Sequence, residues 1–156
     1  MDKIFIKNIS NHTIIVVEPM IRLRAQLRPM QRYPVKADDF DILAVNEGFI
    51  RMVRQKKLQV EDVEKGVEYG LIDMDEVVEK DGKKVQEHTE DYIGIRKILE
   101  TGTDLDVKEL LKSSSKERCK MIAEIALDSD KVSYSKTKLI QDYSGINIDK
   151  ARSLEG

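Results

Sequence analysis

Few residues in this chain have the type and spacing that bond-making chemistry needs. Its two histidines are His12, in a Ser10-Asn11-His12 turn, and His88, in an acidic stretch. Neither neighbours a Gly-x-Ser-x-Gly elbow or a cysteine nucleophile motif. The single cysteine, Cys119, falls on the apolar stripe of a predicted helix, where a thiol behaves as a small hydrophobe. Zinc asks for a cluster of Cys and His ligands, and one Cys and two His are too few and too scattered. Asp73-Met74-Asp75-Glu76 opens like a calcium loop, but the glycine and the later ligands are out of place. It reads as a solvated acidic loop. Gly66 and Gly70 are too isolated to cradle a phosphate. Asn8-Ile9-Ser10 and Asn11-His12-Thr13 fit the glycosylation pattern, but read as turn residues between strands. The residues therefore predict no catalytic, cofactor-binding or metal-ligating site and no cofactor.

The arginines are more informative. Ile21, Leu23, Ala25 and Leu27 alternate with Arg22, Arg24, Gln26 and Arg28, and Arg32 follows the Arg28-Pro29-Met30-Gln31 turn. Side chains on a strand alternate faces, so this is a half-buried strand with an arginine face. Guanidinium groups pair bidentately with carboxylates or phosphates. Arg22, Arg24, Arg28 and Arg32 are the candidate partner-binding residues. Three readings compete for them: an edge strand kept soluble by charge, a face for an acidic partner chain, and a nucleic-acid contact. Aromatics at 5% and the lack of Trp speak against single-strand binding. The acidic connector of a neighbouring copy is one candidate partner, which would make assembly salt-sensitive.

These residues sit in a chain of 156, enough for one ordinary domain or a small domain with an accessory module. The charged fraction of 36% is high against a usual figure of roughly 25%. No apolar run approaches the length of a membrane span, and the N-terminus lacks the pattern of a secretory signal. One cysteine leaves no internal disulfide framework, so the expectation is a reducing compartment or a setting where disulfides do not matter. Net charge is −2, but its distribution is uneven. Residues 1–60 hold 11 Lys+Arg and 6 Asp+Glu, a balance of +5. Residues 61–90 hold 4 and 11, a balance of −7, and residues 91–156 hold 12 and 12.

That shift predicts the domain organisation: a β-rich module over 1–62, an acidic connector or arm over 63–88, a helical module over 89–150 and a flexible tail over 151–156. In the first module Lys3 to Ile9 reads as a strand. Thr13-Ile14-Ile15-Val16-Val17 reads as a strand buried on both faces. Asp38 or Asp39 is expected to cap a helical excursion carrying Phe40, Leu43, Ala44, Phe49, Met52 and Val53. Leu58-Gln59-Val60 reads as a strand returning to the first sheet. In the connector, Asp81-Gly82 between two polar-apolar arms favours a two-residue hairpin turn. Beyond it, helices are expected over about 89–100, from Asp104, behind a Ser114–Glu117 capping box, and from Ser133 or Ser135 to Gly145. The fold class is α+β: a small N-terminal β-sandwich or barrel-like module with a short helical excursion, then a C-terminal helical bundle.

Three segments carry a resemblance: Ile6-Lys7-Asn8-Ile9-Ser10, of type Ile-x-Asn-x-Ser; Arg24-Ala25-Gln26-Leu27-Arg28-Pro29, of type Arg/Lys-x-Leu-x-Pro; and the return strand Lys56-Lys57-Leu58-Gln59-Val60. In this order the N-terminal 60 residues resemble small virion structural proteins of tailed bacteriophages. Pro29-Met30 stands where such proteins usually have a Pro-Gly turn. The resemblance implies a non-enzymatic structural role in capsid decoration, at the neck or head–tail connection, or in the tail. It implies other virion proteins or copies of the chain itself as partners, in a symmetric assembly. It also implies synthesis in the host cytoplasm and final location in the virion, with no membrane partner. The alternative is a small nucleic-acid-binding regulator, its last two helices imitating a helix–turn–helix across 128–132. There Lys131, Lys136 and Lys138 are offset by Asp128, Asp130 and Asp142, so nucleic acid is the less favoured partner.

Overall fold

The computed structural model describes residues 2–148. Its chain is mixed α+β and divides into two compact units, Met1–Thr89 and Glu90–Gly156, each with its own core. The tail expected over 151–156 lies outside the described residues.

In the first unit, β1 (Lys3–Asn8) is central to a three-stranded antiparallel sheet, between β4 (Arg32–Lys36) and β5 (Leu58–Val60). Ile6 lies opposite both Tyr33 and Val60, so the return strand pairs where the sequence places it. β2 (Ile14–Glu18) and β3 (Leu23–Leu27) form a separate two-stranded sheet, joined by a 3-10 turn at Pro19–Ile21. The barrel-like expectation is therefore corrected. Among the described residues the strands make three small antiparallel sheets and no closed barrel.

β2 also departs from expectation. Only Ile14 and Val16 are buried, while Ile15 and Val17 face outward. A continuous β-branched run looks the same whether one face or both is covered. The alternation in β3 is as read: Leu23, Ala25 and Leu27 are buried, and Arg24 and Gln26 exposed.

The helical excursion is two helices, α1 (Ala37–Leu43) and α2 (Glu47–Arg54). The break falls at residues 44–46, and Asn46 caps α2 by accepting from the Phe49 N–H at 3.0 Å. Asp38 and Asp39 lie within the first turn of α1 instead of capping it, where carboxylates favour the positive end of the helix. Phe40 and Phe49 meet edge to face at the centre of this core, with ring centroids 6.2 Å apart.

Residues 63–88, expected as a connector, are structured and belong to the first unit. They carry α3 (Val63–Glu68) and a hairpin of β6 (Val77–Lys80) and β7 (Lys83–Gln86). Leu71 joins the core around Phe40. Asp81 and Gly82 both have positive φ, 53° and 76°, as a two-residue hairpin turn requires.

The second unit packs α4 (Tyr92–Thr101), α5 (Asp104–Lys112), α6 (Lys116–Leu127) and α7 (Tyr134–Ser144) around Ile95, Leu99, Ile122, Ala126 and Ile140. The cap of α6 is Ser115, one residue after the expected Ser114. Thr103 and Asp106 form a reciprocal capping box at α5. Gly145, at φ 78°, ends α7 as read from the sequence.

Candidate functional site

The four arginines sit on four different pieces of backbone. Arg22 follows the 3-10 turn in a left-handed conformation, φ 52°, its N–H donating to Pro19 O at 3.1 Å. Arg24 is in the middle of β3, opposite Val17. Arg28 opens the turn into β4, and its backbone N–H donates to Gln31 Oε1 at 3.0 Å. All three side chains are exposed.

Arg32 belongs elsewhere. It starts β4 on the three-stranded sheet, opposite Lys7. Its guanidinium lies 4.2 Å above the Phe5 ring centroid, and its Nε is 2.7 Å from Glu61 Oε2. The chain itself thus supplies this guanidinium with an aromatic face and a carboxylate. The structure brings Arg24 onto the outer face of the β2–β3 hairpin with Arg22 and Arg28 at the ends of β3. It sets Arg32 apart.

Arginine spacing did not reveal what lies beside Arg24. Ile15 and Val17, 49% and 47% exposed, share the outer face of the hairpin with Arg24 and Gln26. Met20, 78% exposed, projects from the connecting turn. Asn46 Nδ2 donates to Val17 O at 3.1 Å and to Glu18 Oε2 at 2.6 Å, which brings the exposed Val45 to the same end of the hairpin. Large apolar side chains gathered at one surface mark a contact site more often than scattered ones do.

A second surface in the first unit has the opposite charge. A groove of about 510 Å³ runs between α3 and the β6 arm. It is lined by Val63, Val67, Met74, Val77 and Val78 together with Glu64, Glu68 and Glu79 against one cation, Lys84. Met74 is 70% exposed. The acidic run 73–76, first considered as a cation loop, contributes this methionine instead.

The second unit offers a shallower groove between α5 and α7, where the exposed Leu105 and Tyr134 are accompanied by Lys108, Lys138, Asp104 and Asp142. Its charge is balanced. Lys136 is buried, and its ammonium donates to Leu99 O at 3.0 Å, satisfying a carbonyl in the last turn of α4. One of the three lysines counted for the helix–turn–helix reading is therefore committed to the fold.

The remaining chemical candidates are placed as follows. Cys119 is buried, with Sγ 3.5 Å from Leu111 O, and burial pushes its thiol pKa up. That is the environment of an inert thiol. His12 lies in the β1–β2 turn and His88 lies 3.8 Å from Glu87 Oε2. Asn8 is fully buried. Its Nδ2 donates to His12 O and Leu27 O, and its Oδ1 accepts from the N–H and hydroxyl of Ser10. This asparagine is a structural tie and not a glycan acceptor. No helix of the described residues is long and apolar enough to cross a membrane.

Fold and surfaces together define a two-unit α+β chain whose first unit bears an apolar-basic hairpin and an apolar-acidic groove. In comparisons with known proteins, no family model, curated protein or solved structure matches it.

Proposed function

We propose that this chain is a non-enzymatic structural protein of a tailed-phage virion, in the capsid decoration, the neck or head–tail connection, or the tail, and that it assembles through protein–protein contacts. The observation that carries the reading is the outer face of the β2–β3 hairpin. Ile15, Val17 and Met20 lie exposed there beside Arg22, Arg24 and Arg28. Apolar area supplies the drive for association, and guanidinium groups around it select an acidic partner. The order of the three N-terminal motifs supports the phage assignment. A regulator reading through α6 and α7 draws less support, because the exposed side of α7 carries Lys138 against Asp142. Mass spectrometry and cryo-EM of purified phage particles test the proposal. The expected result is a stoichiometric chain on a symmetric site of the particle. A chain present in the lysate but missing from the particles overturns it.

A further inference from the structure

The two contact surfaces of the first unit complement each other. The hairpin presents Ile15, Val17 and Met20, with Arg24 beside Val17 and with Arg22 and Arg28 at the two ends of β3. The groove is lined by Val63, Val67, Met74 and Val77 together with Glu64, Glu68 and Glu79. We infer that the hairpin of one copy seats in the α3–β6 groove of the next, a head-to-tail contact that deepens the assembly role proposed above and rests on it.

Charge decides the occupant. The hairpin carries three exposed arginines, and the one acid among residues 14–28, Glu18, already accepts from Asn46 at 2.6 Å. The groove lining has three glutamates to one lysine. Two of these glutamates do have local partners: Lys84 stands 4.0 Å from Glu64, and Lys65 stands 3.2 Å from Glu68. Both carboxylates are mostly exposed, at 78% and 60%, and surface pairs of this kind hold weakly. An arriving guanidinium, bidentate and partly desolvated by the apolar contact, competes well with a solvated ammonium. Arg32 is not needed, since Glu61 and Phe5 already hold it.

A contact between unlike surfaces leaves each joined pair with one hairpin and one groove still to fill. It therefore propagates to a ring or an open row, in contrast to a two-fold dimer that stops at two. Rings and rows suit a particle built from repeated positions.

The test uses the full chain and two variants at exposed positions: Val17→Glu, which puts a carboxylate on the hairpin, and Met74→Glu, which puts one in the groove lining. Circular dichroism checks that both fold. Sedimentation velocity is run at roughly 100 µM chain, at salt from about 0.05 M to about 1 M. Wild type is expected as species larger than a dimer that shrink as salt rises. Each variant alone is expected as a monomer. Their equimolar mixture is expected as a dimer only, because the intact hairpin of Met74→Glu meets the intact groove of Val17→Glu and neither remaining surface can continue. A monomeric wild type, a variant that keeps the wild-type size, or a mixture that stays monomeric overturns the inference. A chain found in particles yet monomeric in solution overturns this contact and leaves the virion role standing. A self-associating chain missing from particles does the reverse.

Discussion

The side-chain amide of Asn8 donates to the backbone carbonyl of Leu27 at 2.9 Å, tying the end of β1 to the end of β3 across two different sheets. Around this bond the three N-terminal motifs meet. Asn8 O accepts from the Met30 N–H, Asn8 N–H donates to Gln31 O, Ile9 N–H donates to Lys57 O, and Asn8 lies opposite Leu58. The motifs that suggested a virion protein are thus the joints of its first unit, and the exposed hairpin face is a separate feature.

Asn8 has both amide hydrogens and its oxygen engaged in a fully buried place. Asn8→Ala leaves the Leu27 and His12 carbonyls without that donor, at a cost of about 3 kcal/mol. Asn8→Asp replaces a donor with a charged acceptor facing carbonyls and is expected to cost at least as much. Urea unfolding at neutral pH, with tyrosine fluorescence as the probe, measures both.

Met30 has φ 74°, and Gln31 N–H donates to Arg28 O at 3.0 Å. A turn with proline first and a positive φ second is one that glycine suits. Holding a side chain there costs roughly 1–2 kcal/mol, against an extra chain-entropy cost of about 0.5–1 kcal/mol for glycine. Met30→Gly is therefore expected to raise stability by about 0.5–1 kcal/mol, read as a higher urea midpoint with unchanged slope.

Arg118 is 2% exposed, with Nη2 donating to Glu90 O at 2.8 Å and lying 3.6 Å from Glu90 Oε2. Burial pulls its pKa down and the Glu90 carboxylate pulls it back up. Arg118→Ala removes packing and a donor together and is expected to cost about 3 kcal/mol. Arg118→Met keeps most of the volume and is expected to cost about half of that. Thermal melts followed by helical circular dichroism rank the two. Equal losses would show that volume is irrelevant here and sink the account.

Two carboxylates in the second unit are held below their ordinary pKa and so contribute to its stability on the acid side. The Ser129 hydroxyl, 2.6 Å away, and then Arg96 hold Glu100 below its ordinary pKa. The Thr103 backbone N–H and then its hydroxyl do the same for Asp106. A pKa lower in the folded than in the unfolded chain means that the folded state favours the charged form. The stabilisation is fully present above the unfolded value and fades as pH falls through the folded one. Helix stability is expected to drop from about pH 4 downward. Glu100→Gln with Asp106→Asn should flatten that drop, although the double variant starts lower near pH 7. Urea midpoints taken along the pH series check the slope.

Much of the secondary structure was legible in short windows. The alternation of 23–27, the Asp81-Gly82 turn, the helical stripes around Cys119 and Ile122, and the Gly145 stop each express a local backbone preference, encoded within a few residues. Cap positions shifted by a residue, as with Ser115 for Ser114, because neighbouring serines offer the same hydroxyl.

The sequence by itself determined an α+β chain with a basic first part, an acidic stretch, a neutral helical end and an arginine-faced strand. Tertiary structure alone decided four things: that the acidic stretch folds into the first unit, that Arg32 leaves its neighbours for Phe5 and Glu61, that Lys136 turns inward to Leu99 O, and that Ile15 and Val17 stay outside. Each depends on partners tens of residues away or on which face of a sheet is covered. A periodic pattern records which side chains share a face, but not what that face meets.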